Sequence, residues 1–484
     1  MTEPMGKKQE DKKRKGGGRP DYVTPEYIAA QRAKREQAKA EKARRNQELG
    51  IVDPAAAAAA DGFNTNFIKR PMLAICQEEE DDEDGVDVKI MTYNVLGQAL
   101  IRRELFPTNG DALKWRWRSK MLLSELKYYG ADIMCLQEVD LVHMDSFYDP
   151  ELRALGYDYV YVRGEGKNHG LVISWRKSVC KLVRSESIVY DDDNGYDDDD
   201  DDGDVDDLRP TMPQTRTRNV GCLAALQLHA GGGLVVGTTH LFWHPHGTFE
   251  RTRQAAILVR RAKKFSAGIK WPVFLAGDFN SQPIDSPYLC LTQPRSTRHT
   301  AHSYAVLCRS REHEYGKGAE DEHESTDCPE ASVDASDDAA GGIMAGSGSR
   351  TRTTIEEVER LHDNNGVLLQ SVYGAFYRRV HPANASETDS GEPGFSNWAF
   401  TWRGLLDYIF VMDFNANANA NDKETRAGGE IVPGVRVKAL LRLPEAKEMG
   451  AEPSGQPREG QYPSDHLCLM AGLRVRADID RANK

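Results

Sequence analysis

The chain has 484 residues, 39% apolar and 29% charged, with a formal net charge of −12. That length is ample to bury a core, and the polar excess points to long solvated segments beside it. The sequence has no run of 18 apolar residues, which excludes a membrane-spanning helix, and the charged N-terminus lacks the apolar stretch of a secretory signal.

Eight cysteines are scattered (Cys76, Cys135, Cys180, Cys222, Cys290, Cys308, Cys328 and Cys468), none in a C-x-x-C pair. This argues against a zinc site or disulfide framework and suits a reducing, intracellular compartment. Taken as an average, the negative charge argues against RNA or DNA as partner. The charge is segregated, however. Residues 1–50 hold 14 basic and 8 acidic side chains, about +6, whereas 78–87, 191–207 and 311–345 carry about −8, −12 and −9. The remainder is left near +11, the sign that phosphate binding needs.

Residues 1–85 read as a disordered leader, first basic (Lys7, Lys8, Lys12, Lys13, Arg14, Lys15) and then acidic from Glu78 to Asp84. Its basic cluster reads as a nuclear address or an RNA-tethering arm. Folded sequence is expected from 86 to 478. Val86, Val88, Ile90 and Thr92 alternate as a strand over 86–96. Leu113, Trp117, Met121, Leu122 and Leu126 fall at helical spacing over 111–130, where Trp115, Trp117 and Tyr128 are expected to pack. A buried strand follows at 131–139, then strands at 157–163, 169–175, 179–190, 217–229 and 234–241. A helix is expected at 248–266, a strand at 272–277, and further strands at 398–403, 406–412, 434–443 and 466–474. Two low-complexity insertions, the Asp-rich 191–207 and the Glu/Asp/Ser/Gly/Ala mixture 311–352, read as surface loops. The pattern is one mixed α/β domain with many strands and few helices.

Several polar residues end apolar strands, where a rigid scaffold often holds function. They are Asn94, Glu138, His240, Asp278, Asn280, Asp407, Asp465 and His466. Asp278 and Asn280 are two apart, so an extended strand end points both one way, and Gly277 permits a close approach. Asp465 and His466 are neighbours and face different sides. Asp407 is a suitable carboxylate to fix the His466 tautomer. Oxygen ligands from Glu138, Asp278 and Asp465 suit Mg²⁺ or Mn²⁺, and with the histidine and amide donors they suit phosphate-ester hydrolysis. Asn168 and His169 are further candidates to line a cleft, and Arg251 and Arg253 can either reach phosphates or form a solvated helix face.

The ordered strings TYN, LQE, TTH, GDFN, LDY and SDH resemble the endonuclease/exonuclease/phosphatase superfamily. The resemblance covers roughly 86–478 outside the insertions and implies a four-layer αββα sandwich with the site at one end of two facing sheets. TYNVLGQAL, CLQEVD, THLFWHP and the DYIF–SDH ending resemble its deadenylase-like branch, and HLFWHPHGTFERTRQ is most similar to the fungal Ngl-type RNA exonucleases. No leucine-rich repeat precedes the domain, so no repeat docking surface is expected.

The resemblance implies a Mg²⁺-dependent 3′→5′ exoribonuclease acting on single-stranded RNA 3′ ends. Glu138 would ligate the metal with support from Asn94, and Asp465 would complete a second metal site. Asp278 would orient the attacking water. Asn280 and His240 would hold the scissile phosphate, and His466, aligned by Asp407, would stabilise the transition state. Pro245 and Trp402 would stack on the terminal base, while His244 stands where nocturnin-like proteins carry a phosphate-binding Arg. The alternatives are a small-molecule phosphatase or phosphodiesterase of the same superfamily, and an inactive RNA-binding adaptor. Either the nucleus and nucleolus or the cytoplasm fits such a protein.

Overall fold

Strand β2 (Gly85–Asn94) alternates between two environments, and this alternation builds the layers. Ile90 packs between the two main sheets, whereas Met91 and Tyr93 pack outward against helix α1 (Trp115–Tyr129). The structure is a computed structural model that describes residues 63–75, 85–102, 105–195, 212–316, 349–388, 390–414, 427–450 and 455–476.

The first sheet has eight strands. Its path runs β1 (Met72–Ala74), β15 (Val435–Leu441), β16 (Leu469–Arg476), β2, β3 (Ile133–Asp140), β5 (His169–Arg176) and β4 (Tyr157–Val162), with β14 (Glu430–Val432) paired to β15. The second sheet has six, in the order β10 (Leu368–Ser371), β13 (Asp407–Asp413), β9 (Val273–Asp278), β8 (Gly233–Thr239), β7 (Val220–Leu228) and β6 (Cys180–Val189). Cys135 and Ile173 of one sheet meet Cys222, Ala224, Val236, Phe274 and Ile409 of the other in the central core. Their strand neighbours Met134, Leu223 and Leu275 face the outer layers. Leu122, Leu126 and Tyr129 of α1 cover the first sheet, and Ile257, Leu258 and Val259 of the helix Thr248–Phe265 cover the second. The expected four-layer sandwich is therefore what the chain forms.

The folded part reaches further back than residue 86. Strand β1 pairs with β15, and Arg70 is 2% exposed. The Arg70 guanidinium lies 3.5 Å from the buried Glu125 carboxylate and donates to the Cys468 carbonyl, while its Nε donates to the Tyr129 hydroxyl. A lone strand of three residues flanked by acidic sequence carried too little pattern to be read. The basic part of the leader, 1–62, and the acidic run 76–84 lie outside the described residues. Removing one partner from a buried ion pair strands the other charge, at about 3–5 kcal/mol. Arg70→Ala should therefore lower stability by that order in urea unfolding, and an unchanged midpoint would count against this anchor.

Helices are more numerous than expected. Besides α1 they include α2 (Leu141–His143), which runs through a π-helical turn (Met144–Tyr148) into α3 (Asp149–Ala154). Thr248–Phe265 is α4, followed by α5 (Ser286–Thr292), α6 (Ala301–Glu312), α7 (Ser349–Asn365) and α8 (Val372–Val380). The helix α7 begins inside the range 311–352, so that segment is not all loop. Its neighbours Ile355 and Val358 join Phe249 and Leu307 in a small apolar cluster. The segment expected as one strand over 398–403 is instead a hairpin, β11 (Asn397–Ala399) and β12 (Trp402–Gly404).

The Asp-rich insertion also starts inside the fold. Asp191 accepts from the backbone N–H of Thr217 and Arg218, and Asp193 pairs with Arg260 at 2.5 Å and Arg261 at 3.2 Å. Residues 196–211 lie outside the described residues, as do 317–348. Among the described residues no helix is long and apolar enough to cross a membrane.

Candidate active site

The polar strand ends converge because of register. On β9 and β13, Asp278 and Asp407 are direct cross-strand partners, and His240 bridges to Asp278 from the end of β8. In the other sheet β2 runs parallel to β3, with Asn94 opposite Gln137, one residue before Glu138. His466 bridges to Asn397 of the β11–β12 hairpin just ahead of β16. Both sheets thus deliver residues to one end of the sandwich.

Glu138 reaches the cleft through an irregularity. The β3–β5 register slips between Leu136 and Val139, and Glu138 adopts a left-handed φ of 59°. Such bulges re-aim a side chain, and a non-glycine in this region is strained by about 1–2 kcal/mol. Asn280 sits at φ 48°, which its short amide tolerates better. Gly277 is needed for a different reason: a Cβ there would lie 2.4 Å from the Thr239 carbonyl oxygen, so β8 and β9 could not come together as they do. This is the close approach expected of it.

Asn94 stands between the carboxylates. Its Nδ2 donates to Glu138 Oε1 at 2.8 Å and to Asp278 Oδ2 at 2.9 Å, and its Oδ1 accepts from Leu96 N. Asn94 therefore spaces two acids rather than turning its own oxygen into the gap. Gly97 N donates to the other Glu138 oxygen. Asp278 Oδ2 also lies 3.6 Å from His240 Nε2 and 3.6 Å from His466 Nε2. Asn280 donates its backbone N–H to Asp278 Oδ1 and its amide to the Leu241 carbonyl.

His466 Nδ1 is 2.8 Å from Asp407 Oδ2, which also accepts from Ser396 Oγ. Burial works against a charged imidazole, yet Asp407 and Asp278, with Asp465 beyond, hold His466 well above the usual histidine range. Burial pushes the Asp278 carboxyl up, and the facing Asp407 charge adds to it against the two histidines and Asn94. Like charges opposite each other on paired strands oppose the fold, so this is a site where stability has yielded to local chemistry.

The donor set fits a hard divalent cation. Asp278, Asp407 and His466 each offer an atom within 4.8 Å of the others. The Glu138 and Asp278 carboxylates are held around one amide, and added positive charge would relieve the crowding that raises Asp278. Asp465 is buried beside His466, its Oδ2 accepting from Asn397 Nδ2 at 3.4 Å.

Other expected residues separate from this cluster. Pro245 is exposed on the loop between β8 and α4, and Trp402 is half-buried on the hairpin. Among the described residues neither makes a hydrogen bond or ring contact with the cluster. His169 does approach it, with its ring 6.3 Å from that of His240. Arg251 and Arg253 are buried and do not meet solvent as a helix face would: Arg251 bonds the carbonyls of Phe242 and His244, and Arg253 bonds Glu250 and the Asp193 and Tyr190 carbonyls.

Two supporting residues, Ser396 and Asn219, gave no signal in the sequence, and a third, Ser464, stands in the SDH string without its role being legible there. Ser396 accepts from Leu406 N and Asp407 N while donating to Asp407. Ser464 donates to the Asn94 carbonyl and accepts from His466 N. Asn219 donates to the His240 carbonyl and accepts from Lys167 Nζ. Asn219→Ala should cost roughly tenfold in kcat/KM by loosening His240. Unaltered kinetics would remove Asn219 from the site.

Relatives by sequence carry RNA exonuclease names. A Schizosaccharomyces pombe protein named as a probable RNA exonuclease is 38% identical over 436 residues, covering 85% of this chain and 81% of its own length. RNA exonuclease NGL2 of Saccharomyces cerevisiae is 37% identical over 449 residues, covering 85% and 82%. The crystal structure of ANGEL2, a 2′,3′-cyclic phosphatase, matches with a TM-score of 0.56 over 84% of this chain and 99% of that one; at 20% identity the likeness concerns the fold alone. Because the Endonuclease/Exonuclease/phosphatase family matches residues 91–466, a span that holds every residue of the cluster, the chain belongs to that family.

Proposed function

We propose that the protein is a Mg²⁺-dependent 3′→5′ exoribonuclease that removes 5′-nucleotides from single-stranded RNA. The observation that carries this reading is the convergence on Asp278 of two imidazoles and an amide that also holds Glu138. The RNA exonuclease names of its relatives support the choice of substrate.

Glu138, with Asp278 beside it, would hold the cation, and Mn²⁺ is a suitable substitute. Bound there, the ion supplies Lewis-acid neutralisation of phosphate oxygens. Asp278 orients the attacking water and accepts its proton, a task that suits a carboxyl whose affinity for protons is raised. The His466–Asp407 pair presents a protonated Nε2 to the charge that develops on phosphorus-bound oxygen. His240 and the second amide hydrogen of Asn280 hold the scissile phosphate. Pro245 and Trp402 can offer faces to the terminal base, and stacking of this kind tolerates any base. The basic cluster of the leader is consistent with action in the nucleus or nucleolus.

A 5′-labelled RNA incubated with the protein and Mg²⁺ should give a ladder of shortened products. Turnover of a nicotinamide dinucleotide phosphate in place of RNA would turn the reading toward small-molecule phosphatase activity.

A further inference from the structure

The sequence WRWRSK at the start of α1 reads as core, but its tryptophans are only half-buried. The Trp115 ring stacks on His143 of α2 at 3.9 Å between centroids and 8° between planes. Trp117 is flanked by two cations, with Arg116 4.8 Å and Lys120 4.9 Å from its ring. Beside His143, Leu141 is 39% and Val142 70% exposed. Trp115 is taken up by the His143 stack and by Phe147 and Tyr148, whereas the Trp117 ring between two cations is the kind of surface that an unpaired base and its phosphates recognise.

This surface is built onto the catalytic end. His143 follows Glu138 by five residues, a chain length of at most about 18 Å. Between the tryptophans' cations, Arg118 is fully buried and donates to the carbonyls of Val95, Leu96 and Pro463, which adjoin Asn94 and Ser464. Asp140, three residues before His143, accepts from Gln98 N and Ala99 N in the same loop that gives Gly97 N to Glu138. The acidic neighbours are modest: Asp111 pairs with Lys114 at 2.5 Å and reaches Arg116 only at 4.0 Å, and Asp145 is exposed at the flank.

We propose that Trp117, with Arg116 and Lys120 beside it, forms a track for single-stranded RNA, binding a nucleotide upstream of the 3′ end held at Asp278, while the Trp115–His143 stack fixes the start of α1 beneath it. The proposal rests on the exoribonuclease reading and adds to it a subsite that rewards longer RNA. The terminal nucleotide alone would engage the cleft, and a strand several nucleotides long would reach the track.

The test compares binding of a three-nucleotide and a ten-nucleotide oligoadenylate to the full-length protein, with EDTA blocking turnover. For the unaltered protein the ten-mer should bind at least tenfold tighter. Trp117→Ala should remove most of that gain, because loss of one stacked base weakens binding about five- to 150-fold, and Trp117→Phe should restore most of it. Arg116→Ala with Lys120→Ala avoids any packing defect, since Arg116 is 59% exposed. That pair should make the dependence of log affinity on log salt shallower by about 1.4 for the ten-mer. An unchanged length gain and salt slope in both variants would overturn the track and leave the patch to a protein partner. In a parallel reaction with Mg²⁺, failure of the unaltered protein to shorten the ten-mer would instead overturn the exoribonuclease reading, while the binding ratios still decide the track.

Discussion

Glu138→Gln is expected to slow RNA shortening by roughly 10³-fold or more while the protein stays folded. The change keeps shape and removes one negative charge. That charge is half of the carboxylate pair arranged around Asn94, and losing it removes cation affinity where several kcal/mol of transition-state stabilisation arise. The structural cost is smaller. One Glu138 oxygen now accepts from Asn94 and the other from Gly97 N, and a Gln can accept only one of these while its own amide hydrogens face the other donor. One misplaced hydrogen bond at a half-buried position costs about 1–3 kcal/mol. The check is a labelled-RNA ladder at several Mg²⁺ concentrations, with urea unfolding of the same sample. A ladder at the unaltered rate would remove Glu138 from the mechanism, and loss of activity with complete unfolding would assign it to the scaffold.

The second large effect is expected at Arg118, which touches no expected substrate atom. Its guanidinium donates to the Val95 and Leu96 carbonyls at 2.5 Å each, to Pro463 O at 2.6 Å and to Gln98 Oε1 at 3.1 Å. Burial lowers its proton affinity despite Tyr148, Asp465 and Asp140 nearby, so the ion is held at a cost by its hydrogen bonds. Arg118→Met fills similar space but leaves several buried acceptors unmatched, at about 1–3 kcal/mol for the worst of them. A loss of about 3–5 kcal/mol in unfolding free energy is the expected total. Turnover should fall at least tenfold even where the protein is folded, because the 95–98 loop that holds Glu138 and the Pro463–His466 loop lose their shared anchor. Arg118→Lys should recover part of the stability and little of the rate, since a single ammonium cannot span these carbonyls. Equal recovery of both would contradict an anchoring role.

The site was legible where chemistry coincides with a break in pattern. Glu138, His240, Asp278 and Asp407 each interrupt an apolar strand, and a polar side chain in that place stands out without any knowledge of the partner strand. Arg118 and Arg253 were not legible for the opposite reason. They lie in helices among other charged residues, where arginine ordinarily faces water, and only distant backbone carbonyls or Glu250 explain their burial. Ser396, Ser464 and Asn219 act on main-chain groups and on neighbours brought by tertiary packing, so no local spacing announces them. The strands of the central sheets followed from their alternation and apolar runs. Helices α5 and α8 did not, because seven and nine residues are too short to repeat a helical stripe. Asp191 and Asp193 look like the rest of an acidic tract, and only their fit to Thr217, Arg260 and Arg261 separates them from it.

The assembly of the cleft from both sheets has a consequence for biosynthesis. Asn94 and Ser464, joined by a hydrogen bond, are 370 residues apart, and β16 inserts between β15 and β2 rather than adding at an edge. Chains emerge from the ribosome N-terminal end first, and contacts this distant form late. A nascent protein therefore carries Glu138, His240 and Asp278 long before it owns His466 or the strand that seats it. Its hydrolytic site is incomplete while the chain is still being made, and it is assembled only once the final strand has been added.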